Sequence, residues 1–235
     1  LTESCDRNRV GEISRMWEFD VNLIRHKVLD QIRQDILSCG FQPGEELREA
    51  ELADRYAVSK SPVRDALQRL QFEGLVETEP RRGHRVTPIS VADARDILEM
   101  RETLELAAAK RMVRDASEED LAGLDAWREA DVSDIRAFAS YNRGFHVALS
   151  DLSGNRRLAE EMRRLLDAYE RLCLVSLERL RADQGDMGQA LEDHCDLIDA
   201  LQARDARAAA RISQRHVRRS RGQIMKGLEN RPIVD

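Results

Sequence analysis

EAELADRYAVSKSPVRDALQRLQF, residues 49–72, decides how the chain is read. Leu52, Ala53 and Tyr56 fall on one face at helical spacing. Val63, Ala66, Leu67 and Leu70 do the same after a break at Ala57-Val58-Ser59. The break is too short for a strand, and its single apolar residue, Val58, can plug the angle between two helices. Ser59 or Ser61 can cap the second helix, and Pro62 suits a first turn whose N–H groups have no intrahelical partner. Two helices held at an angle by a three- or four-residue turn make a helix-turn-helix. Its second helix opens with Ser59, Lys60, Ser61 and Arg64, all hydrogen-bond donors, at the end such a motif presents to the major groove.

Working outward, an apolar stripe of Leu23, Ile24, Val28, Leu29, Ile32, Ile36 and Leu37 predicts a preceding helix over Val21–Ser38, closed by Gly40 and the Pro43-Gly44 turn. Gly74 ends the second helix of the motif. Leu75–Thr78 and Arg85–Thr87 then read as strands flanking Pro80-Arg81-Arg82-Gly83-His84, a hairpin with an arginine-rich tip. Helix, helix-turn-helix and hairpin form a winged helix-turn-helix. From Val21 to Ser90 there are 11 Lys/Arg and 11 Asp/Glu. Any attraction for phosphates must therefore come from a local patch (Lys60, Arg64, Arg69 and the wing arginines) and should weaken steeply with salt.

The whole chain agrees with that scale. Its 235 residues suit two ordinary domains, and 35% charged residues with few Gly and Pro point to a helical protein. A formal net charge of −6 argues against a non-specific polyanion binder. Four cysteines with no CxxC pair imply reduced thiols and a cytoplasmic location, nucleoid-associated for a chain that binds DNA. No apolar run approaches the roughly 18 residues of a membrane span, and residues 1–20 have no signal-peptide core and read as a poorly ordered arm.

PGEELREAELADRYAVSKSPVRDALQRLQFEGLVETEPRRGHRV resembles the DNA-binding domain of the GntR family of bacterial transcription regulators. The likeness covers about residues 21–88. It implies contacts to double-stranded DNA from Ser59, Lys60, Ser61 and Arg64 on the helix and from Arg82 and Gly83 in the wing. Lys60 stands where the family usually has Arg, replacing a bidentate guanine reader by a point charge. Ala50 stands where an Arg of the preceding helix often contacts DNA.

Beyond a linker at Pro88-Ile89-Ser90 the pattern stays helical. Helices are expected over Val91–Arg114, from a Ser117–Asp120 capping box through Leu121, Leu124 and Trp127, and over Ser133–Leu152. Three more are expected: one capped by Asn155 and reaching Arg181, then Met187–Ala203 and Asp205–Leu228. The fold class is mainly α: a winged helix-turn-helix over 21–88, an all-helical bundle of about six helices over 89–228, and a tail over 229–235. His146, His194 and His216 lie on separate helices among apolar positions, with Asn142 one turn before His146. Taken singly, each is an ordinary half-buried histidine. Together they can converge on one divalent ion, because imidazole nitrogens suit zinc or nickel.

N-x3-H, H-xx-LIDAL and D-x10-H resemble the FCD ligand-binding domain of FadR-like GntR regulators, over about residues 90–228. In many members an Asp and three His hold a divalent metal that helps bind a small carboxylate effector. Here the resemblance assigns Asn142, His146, His194 and His216 to the metal, with a neutral amide in place of the Asp. Arg101 matches an arginine able to face the cavity and pair with the effector; a surface pair with Glu105 at i+4 is the other reading. One recognition helix reads few base pairs, so a homodimer on a pseudo-palindromic operator is expected, acting as a metabolite-responsive repressor. The alternatives are histidines with only structural and dimerisation roles, and a metal-dependent hydrolase, for which no HExxH-like motif exists.

Overall fold

The computed structural model describes residues 23–79, 83–180 and 187–229. The arm expected at 1–20, Arg82 in the wing and the tail beyond Glu229 lie outside the described residues. The chain divides between Pro88 and Ile89 into two compact units.

In the first unit, α1 covers residues 23–37, β1 Glu46–Leu47, α2 Glu49–Arg55 and α3 Lys60–Phe72; β2 (Val76–Glu79) and β3 (Gly83–Val86) follow. The period-3.6 pattern produces the expected packing. Ile32, Ile36, Val63, Leu67 and Leu70 are wholly buried against one another with Val76 and Val86. Each such side chain contributes about 1.5–3 kcal/mol relative to exposure. Val58 packs against this core, as its place in the break requires. The α2–α3 turn closes with Ala57 at φ 53° and with the Val58 N–H bonded to the Ala53 carbonyl at 3.0 Å. Asp35 ties α1 to α2, accepting from the Tyr56 hydroxyl at 2.6 Å and from Arg55 at 2.8 Å.

Four local expectations need correction. Leu23 and Ile24 are exposed rather than part of the α1 stripe. Ser59 is the residue before α3, but its side chain makes no capping bond. The hairpin strands sit one or two residues from the expected bounds, and β1 adds a third strand, giving the antiparallel order β1-β3-β2. The helix expected from Ser117 through Trp127 is α5 (Glu118–Ala122) followed by a 3-10 turn over Gly123–Trp127. The Ser117–Asp120 capping box is present.

The second unit completes a bundle with α4 (Val91–Asp115), α6 (Ile135–Leu152), α7 (Arg156–Leu180), α8 (Met187–Gln202) and α9 (Ala206–Glu229). Its helix starts are set by side-chain acceptors. Ser90 accepts from the Asp93 N–H, Asp134 from those of Arg136 and Ala137, Asn155 from Leu158, and Asp205 from Arg207 and Ala208. α4 and α7 both pack against α9, and α6 packs on α7. The buried face of α4 reads Ala94, Leu98, Arg101, Glu105, Ala108, Ala109 and Met112, so two charged residues occupy core positions. Among the described residues Cys39, Cys173 and Cys195 are free thiols, and no helix is long and apolar enough to cross a membrane.

α9 approaches α7 so closely that a methyl group at Gly227 would stand 2.5 Å from the Ser176 carbonyl oxygen, whereas Gly222 faces open space. Gly227→Ala should lower unfolding free energy by about 1–3 kcal/mol through overpacking against backbone. Gly222→Ala should raise it by about 0.5–1 kcal/mol. Urea denaturation followed by circular dichroism measures both, and equal effects would show that the helix crossing has slack.

Candidate DNA-reading surface and buried histidine centre

Ser59, Lys60, Ser61 and Arg64 are all exposed around the start of α3, because the apolar positions between them (Pro62, Val63, Ala66) take the core-facing side. Gly83 is exposed in the wing at φ +94°, a left-handed conformation suited to glycine. Arg82 lies outside the described residues. Glu49 was not singled out in the sequence. It accepts two bonds from Arg64, at 2.9 Å from Nε and 2.7 Å from Nη2. That pairing, with smaller help from His84 and Lys60, holds the Glu49 carboxyl below its ordinary range. The pair leaves Arg64 Nη1 and one Nη2 hydrogen directed away from Glu49, so the fork is oriented while part of it stays available to a base edge.

The second site lies inside the bundle. α6 contributes Asn142 and His146, α8 contributes His194 and α9 contributes His216, all buried. One ligand nitrogen from each of the three histidines lies within 4.8 Å of the others. Neighbouring groups set the rings' orientation. The Tyr141 hydroxyl donates to the Trp127 carbonyl at 2.6 Å, so its oxygen is left to accept from His194 Nδ1 at 3.2 Å. His146 Nδ1 lies 3.0 Å from Glu105 Oε1, but out of line for a full hydrogen bond. His216 Nδ1 faces Asp193 Oδ2 at 3.8 Å. With Nδ1 turned outward on each ring, the Nε2 lone pairs point inward, and His194 Nε2 stands 3.3 Å from His216 Nε2. Two such acceptors face each other stably only with a donor or cation between them.

Arg101 supplies such a donor to two of the three rings. It has no exposure to water, and it lies 4.1 Å over the Tyr169 ring. Its Nε donates to Glu105 at 2.6 Å, and its Nη2 to His146 Nε2 at 2.6 Å and His216 Nε2 at 3.1 Å, while Nη1 has no hydrogen-bond partner among the described residues. Burial lowers the Arg101 pKa, but the charge of Glu105 outweighs it and the net shift is upward. Burial pushes the Glu105 carboxyl up, but Arg101 and the His146 ring outweigh it and hold it below the usual carboxylate range. Burial keeps all three imidazoles neutral: His146 falls to about 4, His194 falls well below its ordinary value, and His216 falls too.

The donor set fits a borderline divalent ion. Three neutral imidazoles with oxygen partners behind them are the chemistry zinc and nickel select. His146, His194 and His216 would hold such an ion, with Asn142 as a candidate fourth ligand. Asn142 and His216 also line a small cleft shared with Tyr169, Arg219, Ser220 and Gln223. Arg101 is not among the residues lining that cleft. Glu105, Asp193 and Tyr141 complete the centre. The sequence signals for two of them were slight: Asp193 precedes His194, and Tyr141 precedes Asn142.

Comparison with known proteins gives two family matches, "Bacterial regulatory proteins, gntR family" over residues 24–86 and "FCD domain" over residues 96–219. The chain is 27% identical over 202 residues to the HTH-type transcriptional repressor RspR of Escherichia coli (strain K12), covering 83% of this chain and 86% of that one. It is 32% identical over 135 residues to the HTH-type transcriptional regulator YdhC of Bacillus subtilis (strain 168), covering 55% of this chain and 60% of that protein. A crystal structure of a GntR transcriptional regulator from Rhodococcus sp. RHA1 superposes with a TM-score of 0.69 at 25% identity, covering 88% of this chain and 99% of that one. These relatives are transcription regulators, not enzymes.

The neutral, buried histidines make stability depend on acid. An imidazole whose folded pKa is depressed binds fewer protons folded than unfolded. Its stabilising share is therefore present above pH 6.5 and is lost as pH falls through the window down to about 4 for His146. With a chelator present, lowering pH from 7.5 to 5.5 should cost about 1 kcal/mol of unfolding free energy from His146 alone. Urea titrations at the two pH values measure this, and a flat profile would mean that the rings accept protons without leaving the fold.

Proposed function

Since the chain belongs to the GntR family of bacterial transcription regulators and carries an FCD domain, we propose that it is a metabolite-responsive repressor that binds a pseudo-palindromic operator as a homodimer in the cytoplasm. The observation that carries this reading is the exposed run Ser59, Lys60, Ser61 and Arg64 at the opening of α3, with Gly83 in the wing of the same unit. The runs on the helix meet base edges and phosphates in the major groove, and Arg82 and Gly83 reach the backbone beside it. Two copies are needed because one helix covers too few base pairs for specificity.

In the helical domain the effector is a small carboxylate that enters the cleft bordered by Asn142, His216 and Arg219. His146, His194 and His216, with Asn142, would hold a divalent ion, which would supply a Lewis-acidic contact for that carboxylate. Arg101 contributes a positive charge beside the histidines, donating to His146 and His216 from outside the cleft lining. Effector binding changes operator affinity only through a difference in affinity between two conformations, with coupling of about 1–3 kcal/mol being ordinary. One observation favours a second reading. Arg101 already donates to two of the histidines, so the centre can stand as a structural polar cluster without an ion.

Substitutions in α3 test the DNA assignment. Arg64→Ala should cost about 1–3 kcal/mol of operator affinity and relax specificity at one base pair. Lys60→Ala should instead weaken binding across sequences and lower the salt slope by about one. Fluorescence anisotropy on operator and scrambled duplexes at several salt concentrations separates the two, and unchanged affinity for Arg64→Ala would remove it from the interface.

A further inference from the structure

Resting on the metal reading above, we propose that Arg101 is a built-in competitor for the ion. Its guanidinium and a divalent cation claim the same imidazole lone pairs, so the centre holds one or the other. Arg101 Nη2 is 2.6 Å from His146 Nε2 and 3.1 Å from His216 Nε2. A neutral imidazole has one in-plane lone pair, and it can go to an N–H donor or to a metal but not to both.

Charge sharpens the competition. The groups facing the histidine centre are Glu105 and Arg101 from α4, Tyr141 and Asn142 from α6, Tyr169 and Cys173 from α7, and Asp193 from α8. Arg215 and Arg219 of α9 engage Asp193 at 2.8 Å each. Glu105 is therefore the carboxylate left to balance charge at the centre, and Arg101 already neutralises it. A carboxylate at residue 142 would add a negative charge favouring a dication; Asn142 adds none. An arriving ion must displace the guanidinium, since leaving it in place would set three positive charges against one negative among buried groups. Neither Glu105 nor any other described side chain bonds Nη1, so one edge of the guanidinium is not anchored where it lies.

Competition makes metal affinity a property of Arg101 that the ligand set alone would not predict. Removing Arg101 by itself would leave Glu105 buried and unpaired, which endangers folding. The charge-balanced double variant Arg101→Met, Glu105→Gln avoids this. Zn²⁺ and Ni²⁺ titrations of the full chain against a chromophoric chelator should show the double variant binding at least about tenfold more tightly than wild type, the order expected for losing one charge-assisted donor. Equal affinity in wild type and double variant overturns the competition and leaves the metal reading standing. Binding by neither protein removes the metal reading and the competition together. A crystal structure of wild type soaked in Zn²⁺ examines the same point without substitution. It must show Arg101 withdrawn from the Nε2 atoms that hold the ion; an ion on those atoms with Arg101 still bonded to them overturns the proposal.

Discussion

Arg101 carries a charge that cannot be titrated away, at a place in the bundle with no exposure to water. Isolated, that charge would be incompatible with folding, so its surroundings must answer it. Glu105, one turn further along α4, supplies the counter-charge at 2.6 Å, and the Ser213 hydroxyl donates to the other Glu105 oxygen at 3.4 Å. The Tyr169 ring covers the guanidinium face, and two imidazoles accept from its edge. Four helices thus meet on one cation. The aromatic cluster of Trp127, Tyr141 and Phe145 packs beside it, with Phe145 stacked 4.2 Å from the His194 ring. A polar centre of this kind gives less stability than an apolar one of equal volume, but it fixes which faces of the helices must come together.

The DNA-binding unit solves a different problem: it must expose donors at one end of a short helix without letting that helix shift. α3 is held from below by fully buried Val63, Leu67 and Leu70. It is held at its flanks by ion pairs, Arg33 with Glu73 at its far end and Arg25 with Asp65 near its middle. These exposed pairs are individually weak. Their common effect is to neutralise acids near α3 that would otherwise repel phosphate. Glu49 is the exception, since it sits among Arg64, Lys60 and His84 and sets the angle of the Arg64 fork.

Much of this was legible in the chain because punctuation and periodicity agreed. Residues 49–72 show two apolar faces at the same period, and Gly74 ends α3 at φ +76°, where glycine is favoured. The histidines were legible as a set because each sits among core positions of its helix. Other features were hidden for physical reasons. β1 is two residues long and exists only because β3 offers it an edge, so no local pattern marks it. Leu121, Leu124 and Trp127 fit a helical period equally well in an α-helix or in an α-helix that tightens to 3-10. Leu23 and Ile24 continue a stripe that the small core does not reach. Arg101 and Glu105 were the hardest, because charged residues at i and i+4 usually mark a solvated face, and only convergence of four helices makes a core position of them. The i+4 pair with Glu105, expected at the surface, is present in the buried core instead, and Arg101 does not line the cleft.

The placement of Arg101 on α4 bears on how a signal could leave the centre. α4 starts at Val91, and only four residues separate it from the end of β3 at Val86. Withdrawal of the Arg101 side chain from two histidines would remove donors from α6 and α9 together, and repacking of their contacts with α4 is the least costly response in a close-packed interior. A ligand that favoured the withdrawn arrangement would shift the centre only to the extent of that preference. On the competition proposed above, the more firmly the histidines hold the arginine, the larger the difference in binding free energy needed to displace it.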